Sequence, residues 1–130
     1  MSLSVSSVFA VAVGGALGCV CRFGIASFFS AGLQFPVGTF SANMIGCFLI
    51  GLAYVVFSHN VALPAVLRLS ILVGFLGGFT TFSSFGLESI RLIEAGRIQL
   101  ALVYVLSSNL VGLALVYAGT RLGQLYLEAS

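Results

Sequence analysis

The sequence predicts an all-α integral membrane protein with four transmembrane helices, the third of them broken. Three observations predict it: a scarcity of charge, four long uncharged stretches, and a glycine and threonine run inside one of those stretches. Of 130 residues, 60% are hydrophobic and 6% charged, with a mean hydropathy of +1.21, a balance that no water-facing domain of this size sustains. Met1–Cys21, Phe23–Leu67, Leu69–Leu87 and Ile98–Thr120 contain no Asp, Glu, Lys or Arg. A spanning helix needs about 20 apolar residues, so each stretch suffices. The runs are continuously apolar, whereas barrel strands alternate at period two, so a β-barrel is excluded.

The first span is expected at about Leu3 to Phe29. Its apolar run Val8–Leu17 has no preceding Lys or Arg, so it lacks the basic region of a cleaved signal peptide and is expected to remain as a helix. The segment from Ser30 to Pro36 supplies a turn. A second span follows from about Gly38 to Phe57, a third from about Ala65 to Ile93, and a fourth from about Gln99 to Leu125. Short connections leave residues 1–130 as a single four-helix domain. Cys19, Cys21 and Cys47 read as small buried hydrophobes inside apolar helices rather than a disulfide or metal set.

In the third span, Gly77-Gly78 is followed by Thr80-Thr81. Glycine lacks the Cβ restraint and threonine hydroxyls can re-satisfy freed backbone groups, so a mid-membrane break is expected there. Carbonyls unwound at that depth can line a cavity or bind a cation. With oxygen ligands and no carboxylate, that cation would be a weakly demanding monovalent one. Elsewhere glycines recur four apart, at Gly14 and Gly18, Gly74 and Gly78, and Gly119 and Gly123, the spacing that lets helix backbones approach in lipid. Four helices alone enclose little, which points to a multimer.

Charge placement sharpens that point. With the N-terminus on one side, Arg68 and Arg121 fall on that side and Arg22, Arg91 and Arg97 on the other. Lys and Arg bias normally fixes orientation, so a division of two against three predicts insertion both ways and an antiparallel, dual-topology homodimer.

Material for catalysis is sparse. The acids are Glu88, Glu94 and Glu128, the single histidine is His59 in a polar Ser58-His59-Asn60 turn, and no metal-ligand spacing or phosphate loop appears. The chain is therefore not expected to be an enzyme, and no nucleic-acid partner is expected. What remains is a set of neutral donors at membrane depth: Asn43, Thr80, Thr81, Ser83, Ser84, Tyr104, Ser107, Ser108 and Asn109. As packing glue, such groups hydrogen-bond between helices. Asn43 lies about 8 Å inside its helix, and its amide is hard to satisfy from its own backbone. Phe82 and Phe85, three apart, share a helix face, and their ring edges carry the positive part of the aromatic quadrupole, which suits an anion. An anion stripped of water needs replacement donors, and neutral ones bind weakly enough to release it.

Three stretches together resemble the Fluc (CrcB-type) bacterial fluoride channel family. They are Gly14-Gly15-x-x-Gly18-x-x-x-Arg22, Pro36-x-Gly38-Thr39-x-x-x-Asn43-x-x-Gly46-x-Phe48-x-x-Gly51, and Gly74-Phe75-x-Gly77-Gly78-Phe79-Thr80-Thr81-Phe82-Ser83-x-Phe85. Their order and spacing cover nearly the whole chain. The resemblance implies a multi-pass protein of the bacterial inner membrane and an antiparallel dimer with two pathways that passively exports cytoplasmic fluoride. It implies that Phe82 and Phe85 line the pore, that Asn43 donates to the anion, and that Tyr104 and Ser108 contribute from the fourth span. Arg22 would lie towards a vestibule or serve structure. A structural Na+ at the dimer interface would rest on the backbone carbonyls of Gly77 and Thr80 from both subunits. Gly112 is apolar where the lining would otherwise continue, so the pore is not extended along the fourth span.

Two other readings compete. A proton-coupled small multidrug-type exporter also packs four helices per chain, but needs a membrane carboxylate, typically on the first span. None occurs between Met1 and Leu87. A non-conducting membrane scaffold subunit would use Asn43 and the serines as glue alone.

Overall fold

A computed structural model describes residues 4–29, 34–60 and 62–129. Among the described residues every regular element is helical: α1 (Val5–Phe28), α2 (Val37–His59), α3 (Ala65–Leu69), a wide π-helical stretch (Ser70–Phe75), α4 (Leu76–Phe79), α5 (Phe82–Glu94) and α6 (Ile98–Glu128). Taken through its irregularities, Ala65–Glu94 is one apolar passage, so four helical passages are long and apolar enough to cross a membrane. Their bounds fall within a few residues of those read from the sequence. The expected start at Leu3 and the Ser30–Leu33 part of the first turn lie outside the described residues.

Local chemistry sets several of these ends. Ser4 caps α1, its hydroxyl accepting from the Ser7 amide at 3.1 Å. Pro36 and Pro64 stand immediately before α2 and α3, where a fixed φ costs no helical hydrogen bond. The hairpin from α5 into α6 turns on Gly96, whose φ of 73° is a conformation side chains resist. Arg68 closes the turn between α2 and α3. Its Nε and Nη2 donate to the Leu63 carbonyl at 3.2 and 3.0 Å, and its Nη1 donates to the Phe57 carbonyl in the last turn of α2 at 3.3 Å. His59 belongs to that same last turn, with Asn60 as the cap, so it is an exposed helical residue rather than a loop residue.

Two seams without side chains organise the packing. α2 and α6 run parallel, and a Cβ at Gly51 would strike the Val116 carbonyl while one at Gly119 would strike the Phe48 carbonyl. α1 runs parallel to the π-helical stretch and α4. There a Cβ at Gly14 would meet the Ser70 carbonyl, one at Gly18 the Phe75 carbonyl, and one at Gly78 the Gly15 carbonyl at 2.5 Å. The glycine pairs spaced by four are thus contact surfaces, and those of α1 face those of the third passage. Ser70 adds a bond across this seam, its hydroxyl donating to the Ala10 carbonyl at 2.9 Å.

The same seam corrects the reading of the cysteines. The glycine stripe sets the buried face of α1, so Cys19 and Cys21, off that stripe, are exposed on this chain; Cys47 is half-buried. All three are free thiols.

Candidate functional site

The third passage breaks at Thr80 and Thr81, which are extended at φ/ψ of −91°/156° and −151°/123°. Gly77 and Gly78 remain helical in α4, so the break falls on the threonines rather than on the glycines. The physical reason is division of labour: β-branched residues suit extended backbone, while Gly78 is held helical against α1 by the close approach of Gly15. Below the break, the Thr80 hydroxyl donates back to the Leu76 carbonyl at 2.9 Å. Above it, Thr81 caps α5, its Oγ1 accepting from the Ser84 amide at 3.2 Å.

A helix break strands backbone groups that need partners away from water. Asn43 of α2 supplies two of them. Its Oδ1 accepts from the Thr81 amide at 2.8 Å and its Nδ2 donates to the Thr81 carbonyl at 3.0 Å, so the side-chain amide pairs with the backbone as a neighbouring strand would. One of two Nδ2 hydrogens is thereby used. Arg22 of α1 supplies a third: its Nε donates to the Gly78 carbonyl at 3.1 Å, and its Nη2 lies 3.9 Å from the Cys19 sulfur. Arg22 is half-buried with its Nε on a helix carbonyl.

The carbonyls of Gly77 and Thr80 are left differently. The amide four residues beyond Gly77 is that of Thr81, which donates to Asn43. The amide four residues beyond Thr80 is that of Ser84, which donates to Thr81 Oγ1. Both carbonyls have lost their helical donors, and both residues line one groove.

That groove has a volume of about 520 Å³. It brings together Asn43, Gly77, Thr80, Phe82, Phe85 and Ser108, six of the residues singled out from the sequence, and no charged side chain lines it. The Phe82 and Phe85 rings lie 5.4 Å apart between centroids at 48°. Their environments differ sharply: Phe85 is 9% exposed and Phe82 is 81% exposed, so the second ring stands out from its own chain. The Ser108 hydroxyl is half-buried on the groove wall.

Tyr104 stands apart from this set. It is fully buried behind Phe85, with centroids 5.2 Å apart, and Phe35 meets its other side edge-on at 5.2 Å. Its hydroxyl donates to Glu88 Oε2 at 2.7 Å, and the Thr39 hydroxyl donates to Glu88 Oε1 at 2.7 Å. The carboxylate therefore joins α2, α5 and α6 by charge-assisted hydrogen bonds. Sequence reasoning missed this cluster. A depth count could have found it, because Glu88 lies about 9 Å from the end of α5 and Tyr104 about 9 Å from the start of α6, on the same side of the membrane.

Among the described residues, no group of three or more His, Cys, Asp or Glu side chains could hold a metal ion. A cation here would have to rest on neutral oxygen, and the two freed carbonyls of the break are of that kind.

Comparison with known proteins agrees with this architecture. The family described as CrcB-like protein, Camphor Resistance (CrcB), matches residues 9–120. A protein of Pseudomonas putida named fluoride-specific ion channel FluC is 42% identical over 120 residues, covering 91% of this chain and 97% of its own. Proteins of the same name from Azotobacter vinelandii and Agrobacterium fabrum are 46% and 44% identical, covering 89% and 88% of this chain and 95% and 93% of theirs. A match running from the first passage through the fourth, with relatives alike over almost their full lengths, means that this chain belongs to the CrcB family.

Proposed function

We propose that this chain is a passive fluoride channel of the bacterial inner membrane, working as an antiparallel homodimer of oppositely inserted copies with two pathways. The observation that carries the reading is the groove, which at membrane depth offers amide, hydroxyl and phenyl groups and no charged side chain. A fixed cation would hold fluoride too tightly to pass it on, while neutral donors replace part of its water shell and still release it. The relatives' printed name, fluoride-specific ion channel, supports the choice of anion.

In this reading Asn43 offers the anion the amide hydrogen that Thr81 does not take, and Ser108 offers its hydroxyl. Phe82 and Phe85 turn ring edges towards the ion. Tyr104 contributes indirectly, backing Phe85 and anchoring Glu88. Fluoride moves down its electrochemical gradient, out of a cell in which it is trapped after entering as the neutral acid. The exporter reading gives way, since α1 carries no carboxylate and the family's named members are channels.

Dimerisation by opposite insertion is supported by the two-against-three division of arginines and by the bare Phe82 ring, which its own chain does not cover. A structural Na+ belongs to the same reading. The Gly77 and Thr80 carbonyls of both subunits would hold it, and the ion would join the two breaks electrostatically. Neutral oxygens freed from helical pairing suit a monovalent cation.

The test is efflux from liposomes holding purified protein, followed with a fluoride electrode and repeated with chloride. Fluoride should leave without proton exchange, and chloride should stay. Vesicles no leakier to fluoride than empty ones would overturn the reading.

A further inference from the structure

The break in the third passage strands more carbonyls than a cation site can use, and something must decide which of them stay free. The Gly78 carbonyl, beyond which the helix breaks, accepts from Arg22 Nε at 3.1 Å. The Thr81 amide and carbonyl are taken by Asn43. Of the carbonyls that lost their helical donors, those of Gly77, immediately before the Arg22 bond, and Thr80, immediately before the Asn43 bonds, belong to residues that line the groove. Two side chains from different helices therefore splint the break on alternate sides of the free oxygens.

We infer that Arg22 is a positioning residue for the cation site, acting through the single N–H it donates to Gly78 rather than through its charge. The inference rests on the sodium reading given above. The last turn of α4 has lost the helical donors that would hold its carbonyls, so its peptide planes can tilt, and tilting of the plane carrying the Gly78 carbonyl would move its neighbour at Gly77. A guanidinium fixed to α1 resists that tilting, because α1 is itself locked to the π-helical stretch and α4 by the glycine seam. The charge has little to do at this position: the Nε acceptor is a neutral carbonyl, and Nη2 donates to the sulfur of Cys19.

Side-chain geometry allows the two roles to be separated. Glutamine places its Nε2 donor where arginine has Nε, with the same number of bonds from the backbone and no charge. Methionine places a methyl group at that position and cannot donate. Lysine keeps the charge but sets its donor one bond further out.

The measurement is the thermal midpoint of the purified full chain in detergent, titrated with NaCl at constant ionic strength against choline chloride. Wild type should be stabilised by Na+. Arg22→Gln should reach half of the maximal stabilisation within about threefold of the wild-type Na+ concentration, as expected for loss of charge assistance alone. Arg22→Met should need about tenfold more Na+ or more, because the Gly78 carbonyl is then unpaired. If Arg22→Met does not survive purification, the Arg22→Gln response decides alone: a wild-type-like value supports the inference and a tenfold weaker one overturns it. A wild-type response from Arg22→Met would also overturn it, as would Arg22→Lys matching wild type while Arg22→Gln and Arg22→Met fall together. Wild-type protein indifferent to Na+ would end both the sodium reading and this inference, while fluoride efflux would still report on the channel separately.

Discussion

The Asn43 bracket gives the sharpest test of how the break is held. Asn43→Leu keeps the side-chain volume nearly constant and removes both hydrogen bonds to Thr81, at 2.8 and 3.0 Å. Replacing a bonded group by an apolar one leaves the part-buried Thr81 amide unpaired, at about 1 to 3 kcal/mol, and takes one donor from the Thr81 carbonyl, at about 0.5 to 1.5 kcal/mol. The combined loss is therefore about 1.5 to 4.5 kcal/mol, a substantial share of the roughly 5 to 15 kcal/mol that separate folded from unfolded states. Asn109→Leu is the control. That amide is exposed, and its one bond runs to the Val105 carbonyl of its own helix at 2.7 Å, so its replacement should change stability by no more than about 0.5 kcal/mol. The chain has no tryptophan, so unfolding in detergent is best followed by far-ultraviolet circular dichroism. Equal midpoints for the two leucine variants would refute the argument that Asn43 secures the break.

Three further outcomes follow from other contacts. Gly119→Ala drives a Cβ into the Phe48 carbonyl and should cost about 1 to 3 kcal/mol, whereas Gly86→Ala, with open space around its Cβ, should be neutral or stabilising by up to about 1 kcal/mol in the same unfolding assay. Glu88→Ala leaves the Tyr104 and Thr39 hydroxyls without their acceptor and should destabilise by about 2 to 4 kcal/mol; adding Tyr104→Phe should recover part of that loss in a double-mutant cycle. Phe82→Ile and Phe85→Ile should both slow fluoride efflux. The second should lower the melting midpoint more, because Phe85 packs against Tyr104 within the chain while Phe82 is 81% exposed on its own chain.

Much of this was legible in the sequence because it follows from one-dimensional patterns. Uncharged length alone fixed the four passages, since lipid admits few alternatives to a continuous helix. Glycines four apart announced the seams, and the Gly-Gly-Phe-Thr-Thr run announced the break. What one dimension could not supply was the identity of partners between helices. Asn43 reads as a donor for a ligand, but the sequence does not show that Thr81 engages its oxygen and one of its amide hydrogens. Tyr104 reads as a contributor from the fourth span, and its hydroxyl lies on Glu88, which the sequence shows only as one of three acids. Arg22 carries no sign in the sequence that its Nε pairs with the Gly78 carbonyl. Each of these depends on the rotation of one helix about its axis against another, which spacing within a single helix does not encode.

The break is also held from both glycine-packed helix pairs, and that explains how an irregular backbone can persist in the membrane. α1 is locked to the π-helical stretch and α4, and α2 is locked to α6, by contacts too close to admit a methyl group. Arg22 reaches the break from the first pair and Asn43 reaches it from the second, while the Thr80 methyl fills the space that Gly46 of α2 leaves open. Because interiors this tight deform in steps rather than continuously, neither seam can slide without pulling a side chain off the break. Fixed donors are what partial dehydration of an ion requires, since groups already oriented need no rearrangement as the ion passes. A substitution in either seam, far from the groove, should therefore impair the site through the geometry of Thr80 and Thr81 before it unfolds the chain.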